Sequence, residues 1–357
     1  MQMLDLYTDY LICQNKYATA TGLSDMVDGE FSHDKVTRFL NATIYKSQSL
    51  WRYVKSAVRE QESSIPGVLI LDDMIEEKPY SRENDINCWH YSHAKGRVLK
   101  GLNIVTSMVQ YGDFGVPIGY EIVKKDIQYS DLKTKKVRRK SSKTKNETFR
   151  ALVSQAVKNS VKFEYILADN WYGSKANMSF IHNDLRKLFI IGIKSNRTLA
   201  LSENDAKTGR YHKVKDLEIE EDIAHKVWLK GIDFPVILIK KVFKNENGTE
   251  GVLYLISNDL HSSAERLYEV YHKRWKIEEF HKSVKQNASL NKSPTKTVKT
   301  QSNHVFMSII SFCKLEILKL KTNLNHFAMK YKLLIKANQV AWKELKNLTE
   351  CSYQCVR

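Results

Sequence analysis

The spacing of apolar residues changes several times along the chain, and each change marks a different element. Leu50, Val54 and Val58 recur at helical spacing and predict a helix over 48–61. Before it, the run from Ser32 to Leu40 reads as a helix whose first open amides are accepted by the Ser32 hydroxyl. A shorter helical stretch begins at Ala18, and a turn at Asp28-Gly29-Glu30 separates the two. Lys35 and Arg38 share one face of the second helix. Two short helices around a tight turn have the layout of a helix-turn-helix, which makes Lys35 and Arg38 candidate DNA contacts. A plain helical cap is the competing reading.

From Pro66-Gly67 onward the pattern becomes that of strands. Val68-Leu-Ile-Leu is an apolar run closing on Asp72 and Asp73, as expected of a buried strand whose last residues emerge at a sheet edge. A linker over 76–85 leads to two hairpin-connected strands, 101–110 and 116–123. Residues 124–145 hold ten Lys or Arg and two Asp, too polar to pack, and read either as a solvated loop or as a contact for phosphates. Phe149, Leu152, Val153, Ala156 and Val157 then give a helix over 146–159 its buried stripe. A strand over 163–169 again ends in a carboxylate, Asp169, and a helix from Gly173-Ser174 leads to a strand over 188–194. Three strands, helix, strand, helix, strand is the order of a ribonuclease H-like α/β core.

Residues 196–260 are β-rich, with apolar runs at 225–229, 234–243 and 251–257 and a turn at Asn247-Gly248. They form either a subdomain or an extension of the sheet. The expected organisation is a helical DNA-binding region at 1–62, core at 63–195, β-rich insertion at 196–260, the last part of the core at 261–320, and a helical tail at 321–357.

The stretch from Ala264 to Gln286 lacks Gly and Pro and predicts one long helix. At about 100° per residue, Tyr271, Arg274, Glu278 and Lys285 fall on one strip beside an apolar arc of Val270, Ile277, Phe280 and Val284. Glu278 pairing with Arg274 or Lys282 on the surface would contribute only about 0.2–0.5 kcal/mol. The apolar flank instead sets the strip at the border of a core. Asp73 and Asp169 at strand ends converge on the edge where open α/β sheets hold their sites. A third carboxylate there, Glu278, makes a cluster whose repulsion calls for cations. Oxygen donors select hard ions, so Mg²⁺, or Mn²⁺ in its place, is expected, in a pair suited to phosphodiester chemistry. Arg274 and Lys285 would hold phosphates, and Tyr271 a phosphate or a displaced base.

Charge agrees. Lys and Arg number 57 against 40 Asp and Glu, a formal net charge of +17, which suits a polyanionic partner. No long apolar stretch predicts a membrane span, and no basic-then-apolar start predicts a secretory signal. Cys13, Cys88, Cys313, Cys351 and Cys355 fit a reducing cytoplasm better than a disulfide framework, and Cys351 with Cys355 would supply only two ligands. His90 and His93 invite a metal reading, but with Cys88 so close in chain a structural or DNA-contacting role is the expectation.

Tyr271-x2-Arg274-x3-Glu278-x6-Lys285 resembles the signature of insertion-sequence DDE transposases with a ribonuclease H-like core. Leu71-Asp72-Asp73 resembles the segment of that family's first aspartate, with Asp73 taken as the ligand and Asp72 as the alternative. Ala168-Asp169-Asn-Trp-Tyr-Gly173 resembles the second segment, and Gly192-Ile-Lys-Ser-Asn-Arg197 the strand after it. The 109-residue interval from Asp169 to Glu278 resembles that of members with a β insertion. The resemblance spans about residues 20–310. It implies a polynucleotidyl transferase that cuts and joins double-stranded DNA at the terminal inverted repeats of an insertion sequence and at a target, as a homodimer in a prokaryotic cytoplasm at the nucleoid. A two-metal-ion nuclease without strand transfer, or a DNA-binding protein without activity, are the alternatives.

Overall fold

A computed structural model describes residues 2–62, 66–93, 95–132, 134–244 and 248–354. Cys355 and Asn247 fall outside these residues, and with them the Cys351–Cys355 pair and the turn at Asn247-Gly248. The chain gathers into two compact units, 46–279 and 1–45 with 280–357.

Three helices open the second of these units: α1 (Met3–Cys13), α2 (Ala20–Met26) and α3 (His33–Leu40). Ser32 caps α3 through Lys35 N, and the turn before it carries Asp28 and Gly29 at φ 51° and 78°. The apolar face of α3 is Val36 and Leu40, which leaves Lys35 and Arg38 exposed.

The other unit is built on a mixed sheet. Helix α4 (Ser47–Gln61) buries Leu50, Trp51, Val54 and Val58, the spacing read from the sequence with one added ring. Strand β1 (Val68–Glu77) runs four residues beyond the two aspartates, because its second half pairs antiparallel with β3 (Arg97–Tyr111) as far as Glu77 opposite Gly101. The other edge of β3 is shared: β2 (Asn87–Ser92) pairs with its first half and β4 (Phe114–Ile122) with its second. The basic stretch is neither loop nor helix start throughout, since β5 (Ile127–Ser130) and β6 (Val137–Lys140) form an antiparallel ribbon there.

Helix α5 (Lys145–Lys158) begins at a capping box of Thr144 and Glu147 and packs on β3 and β4 through Phe149, Leu152, Val153 and Ala156. Strand β7 (Tyr165–Ala168) lies parallel to β1, and β8 (Leu188–Ile193) parallel to β7, joined by α6 (Lys175–Ser179) and a π turn at Phe180–Asp184. The order β4-β3-β1-β7-β8, antiparallel on one side of β1 and parallel on the other, is the ribonuclease H-like arrangement.

Residues 196–260 extend this sheet. Strand β13 (Glu250–Ser257) pairs antiparallel with β8, and outward from it lie β12 (Val236–Lys244), β11 (His225–Leu229), β9 (Thr198–Ala200) and β10 (His212–Lys213). The short α7 (Glu203–Lys207) sits within the insertion. The alternative left open by the sequence is thereby resolved in favour of a continuous sheet.

The long helix expected over 264–286 is divided. α8 (Ala264–His272) and α9 (Lys276–Gln286) are separated by a 3₁₀ turn at Lys273–Trp275. In the unit containing the chain termini, α10 (Val298–Thr322) is buried along most of its length, and α11 (His326–Gln354) comes next. Asn303 of α10 donates to the carbonyls of Leu40 and Thr43 and accepts from Tyr45 N, while His304 bonds the Tyr7 hydroxyl at 3.0 Å. These bonds tie α1 and the end of α3 to α10. Among the described residues no helix is long and apolar enough to cross a membrane.

Candidate active site

Successive strand residues face opposite sides of a sheet, and β1 uses this to separate its two aspartates. Asp73 is enclosed by donors. Lys145, at the start of α5, gives its ammonium to both Asp73 oxygens at 2.9 and 3.0 Å. The Tyr172 hydroxyl donates to one oxygen at 2.9 Å and the Asn103 amide to the other at 2.8 Å. Lys145 also lies 4.2 Å from the centre of the Trp171 ring, while Tyr172 stacks on Phe149. Trp171 and Tyr172 therefore pack the loop after β7 and frame Asp73.

Asp72 faces a different set. An Asp72 oxygen and a Glu278 oxygen lie within 4.8 Å of each other, and Arg274 Nη1 stands 3.6 Å from Asp72 and 3.5 Å from Glu278. Burial, then repulsion from Asp169, Asp73 and Glu278, raises the Asp72 carboxyl from an ordinary 3.8 to about 8. Asp169 is likewise raised by burial, against the hydrogen bond that Trp171 N donates to it at 3.0 Å and the charge of Arg274. Burial disfavours the Arg274 cation, yet Tyr271, Asp72, Glu278 and Asp169 together hold its pKa above normal. One guanidinium thus partly neutralises a cluster with surplus negative charge.

The 3₁₀ turn matters to this geometry. It advances the chain by roughly 120° per residue rather than about 100°, so Arg274 and Glu278 are not set by one uninterrupted α-helical period. Tyr271 is buried at the end of α8, and burial, opposed by Arg274, raises its phenol to about 12. Its hydroxyl lies against β8: a Cβ placed on Gly192 would be 3.3 Å from it and 3.1 Å from Asn170 N. Gly192 is the reason α8 and the Asp169 loop approach β8 so closely.

The remaining sequence-predicted residues are dispersed. Lys285 is half-buried, seven positions after Glu278 on α9. Lys35 rests over the Phe31 ring at 4.3 Å and Arg38 Nε reaches the Asp34 carbonyl at 3.4 Å, both in the unit of the chain termini. Buried His90 and exposed His93 belong to no group of three candidate ligands among the described residues. Cys88 donates to the Asn84 carbonyl, and its thiol is pushed up to about 11, mainly by burial. Sequence reading missed Lys145 and Asn103 as partners of Asp73. Only the position of Lys145 just after a capping threonine hinted at a fixed cation.

The carboxylates of Asp72, Asp169 and Glu278 come from a strand, the loop after a second strand and a helix, and burial followed by their mutual repulsion raises the pKa of Asp72. Such a set fits hard divalent cations. A ribonuclease H-like sheet carrying clustered carboxylates fits a metal-dependent enzyme of nucleic-acid phosphodiesters. Family models agree: one described as a DDE superfamily endonuclease matches residues 1–216, and one described as a transposase DDE domain matches residues 132–313. The chain belongs to the DDE transposase family, whose enzymes act on DNA as transposases or endonucleases with divalent metal ions. No match was found among curated proteins.

Proposed function

We propose that this protein is a DNA transposase that cuts the ends of an insertion sequence and joins them to a target, with Asp72, Asp169 and Glu278 as its metal ligands. The observation carrying this reading is the meeting of Asp72 and Glu278 within 4.8 Å, bridged by Arg274, beside Asp169. Asp72 takes the place in the ligand set that the sequence assigned to Asp73. The reason is that both Asp73 oxygens are already occupied by Lys145, Tyr172 and Asn103.

These carboxylates would hold Mg²⁺, or Mn²⁺, in a pair, and the ions would supply activation of the attacking oxygen and charge stabilisation at the leaving oxygen. The chain's own residues do the rest. Asp72 would hold the cations as a carboxylate, which its raised pKa makes dependent on pH. Arg274, which stands between Asp72 and Glu278, would offer its fork to a phosphate of the bound strand. Tyr271, neutral at physiological pH, donates from its hydroxyl. Asp73 fixes Lys145 and Tyr172, which hold α5 and the Asp169 loop against β1. Lys285, Lys35 and Arg38 add phosphate contacts along duplex DNA, in a homodimer spanning two terminal inverted repeats.

The test is incubation of purified protein with Mg²⁺ and duplex DNA carrying the element's ends, with cuts and joints mapped. Nicked and joined products are expected from the wild type. Glu278→Gln should bind that DNA with little loss and form neither product. Cutting without joining would favour a nuclease, and activity surviving in Glu278→Gln would defeat the ligand assignment.

A further inference from the structure

We propose that the groove between β2, the start of β3 and the β5–β6 ribbon binds an unpaired stretch of DNA, with bases against its rings and phosphates against its cations. The proposal rests on the chain acting on DNA and lies outside the carboxylate site.

Strand alternation builds one wall. Cys88 and His90 of β2 turn inward, so Trp89 and Tyr91 turn outward, 52% and 55% exposed. Trp89 pairs with Lys100 and Tyr91 with Val98 on β3, which puts the four side chains on one face. The ribbon supplies the other wall, including Tyr129, 41% exposed, and Val137. Together they enclose a groove of 490 Å³.

The walls are joined by polar bonds at the base, and their rings are left to the opening. The Lys125 ammonium donates to the Trp89 carbonyl, and Arg139 donates to Asp85 at 2.6 Å and to the Lys125 carbonyl at 3.3 Å. Glu83 and Asp85 are thus engaged by Arg139, and Asp131 by Arg138 at 3.0 Å. Arg138, Arg139 and Lys125 balance those three carboxylates, and Lys100, Lys136 and Lys140 then give the groove its net charge. Lys100 lies 5.8 Å from the Trp89 ring centre and Lys140 5.7 Å from that of Tyr129.

Cations interleaved with exposed rings form a stacking platform flanked by phosphate contacts, the chemistry that holds single strands without sequence preference. A duplex keeps its base faces stacked inside and would engage only the cations, leaving the rings in water. On the inner face of β2, buried His90 has no hydrogen-bond partner for Nε2 among the described residues and senses Lys145 and Asp73 electrostatically. A strand in the groove therefore lies across β2 from the pair that braces the active site.

The experiment uses full-length protein without divalent metal. Binding of a fluorescein-labelled oligodeoxythymidylate and of a duplex of equal length is measured by anisotropy for wild type, Trp89→Ala/Tyr91→Ala and Trp89→Phe/Tyr91→Phe. Loss of the rings should weaken the single strand about tenfold or more. Duplex affinity and thermal midpoint should stay at wild-type values, and the phenylalanine variant should retain most single-strand binding. Photocrosslinks from 5-iododeoxyuridine in the oligonucleotide should map to Trp89, Tyr91 or Tyr129. Unchanged single-strand affinity in the alanine variant, equal losses for both DNAs, or crosslinks only elsewhere would overturn the proposal. Mg²⁺-dependent cutting of duplex DNA by the wild type, assayed in parallel, tests the transposase reading separately, because its failure leaves the binding result intact.

Discussion

Asp72 and Asp73 are neighbours on β1 with different surroundings: Asp73 is saturated by Lys145, Tyr172 and Asn103, whereas Asp72 meets Arg274 and Glu278 and the repulsion of Asp169. On the proposed assignment, one backbone step separates a structural carboxylate from a metal ligand. The distinction is open to measurement.

Asp72→Asn should abolish both Mg²⁺-dependent DNA cutting and the rise in melting temperature that Mg²⁺ gives the wild type. Asp73→Asn should keep a Mg²⁺-induced rise but lower stability by about 2 kcal/mol, since Lys145 loses its charged partner in a site only partly open to solvent. Calorimetry of both variants with and without Mg²⁺ decides it. A Mg²⁺ response lost in Asp73→Asn and kept in Asp72→Asn would reverse the assignment.

The raised pKa of Asp72 sets a pH dependence with a definite sign. A carboxyl at about 8 in the folded chain and near 3.8 unfolded contributes stability that is complete below 3.8 and lost as pH climbs through 8. In metal-free buffer, Asp72→Asn should therefore match the wild type near pH 4 and exceed it increasingly toward pH 9, by on the order of 2 kcal/mol. Urea unfolding at several pH values reads this directly. A pH-independent difference would contradict the clustering of the carboxylates.

Arg274→Gln should lower metal-free stability, because Asp72 and Glu278 lose the guanidinium that stands between them. Mg²⁺ should then raise the melting temperature of this variant more than that of the wild type. Equal Mg²⁺ responses would mean that Arg274 does not offset the cluster's charge.

Lys35→Ala/Arg38→Ala should weaken duplex binding and flatten its dependence on salt by roughly one logarithmic unit per lost phosphate contact. Both side chains are exposed, so stability should change by less than about 0.5 kcal/mol. Titration at several salt concentrations checks it, and an unaltered slope would remove these residues from the DNA interface.

Much of the fold was legible in the sequence because strands and helices announce themselves by period. The apolar runs leading to Asp72-Asp73 and Asp169 and the stripe beside Glu278 pointed to a meeting of carboxylates, although β1 continues past its aspartates to Glu77. Which of two adjacent aspartates turns to the site was not legible, since that depends on strand register and on Lys145, seventy-two positions away in the chain. The 3₁₀ turn at Lys273–Trp275 left no mark, because those residues suit an α-helix equally well. Strand β2 and the β5–β6 ribbon escaped notice for a related reason. Their outward residues are aromatic or basic, and the alternation that marks a half-buried strand is blurred.

Growth of the sheet outward from β8 has a last consequence. In a bare core β8 would end the sheet with a row of open amides and carbonyls, close to the loop that carries Asp169. Here β13 closes that row, so the insertion shields a seam that would otherwise invite association with other chains. Trimming residues 196–260 to obtain a minimal catalytic fragment should accordingly yield an insoluble product, and lengthening the loops at the far margin near β10 is the gentler route to engineering this fold.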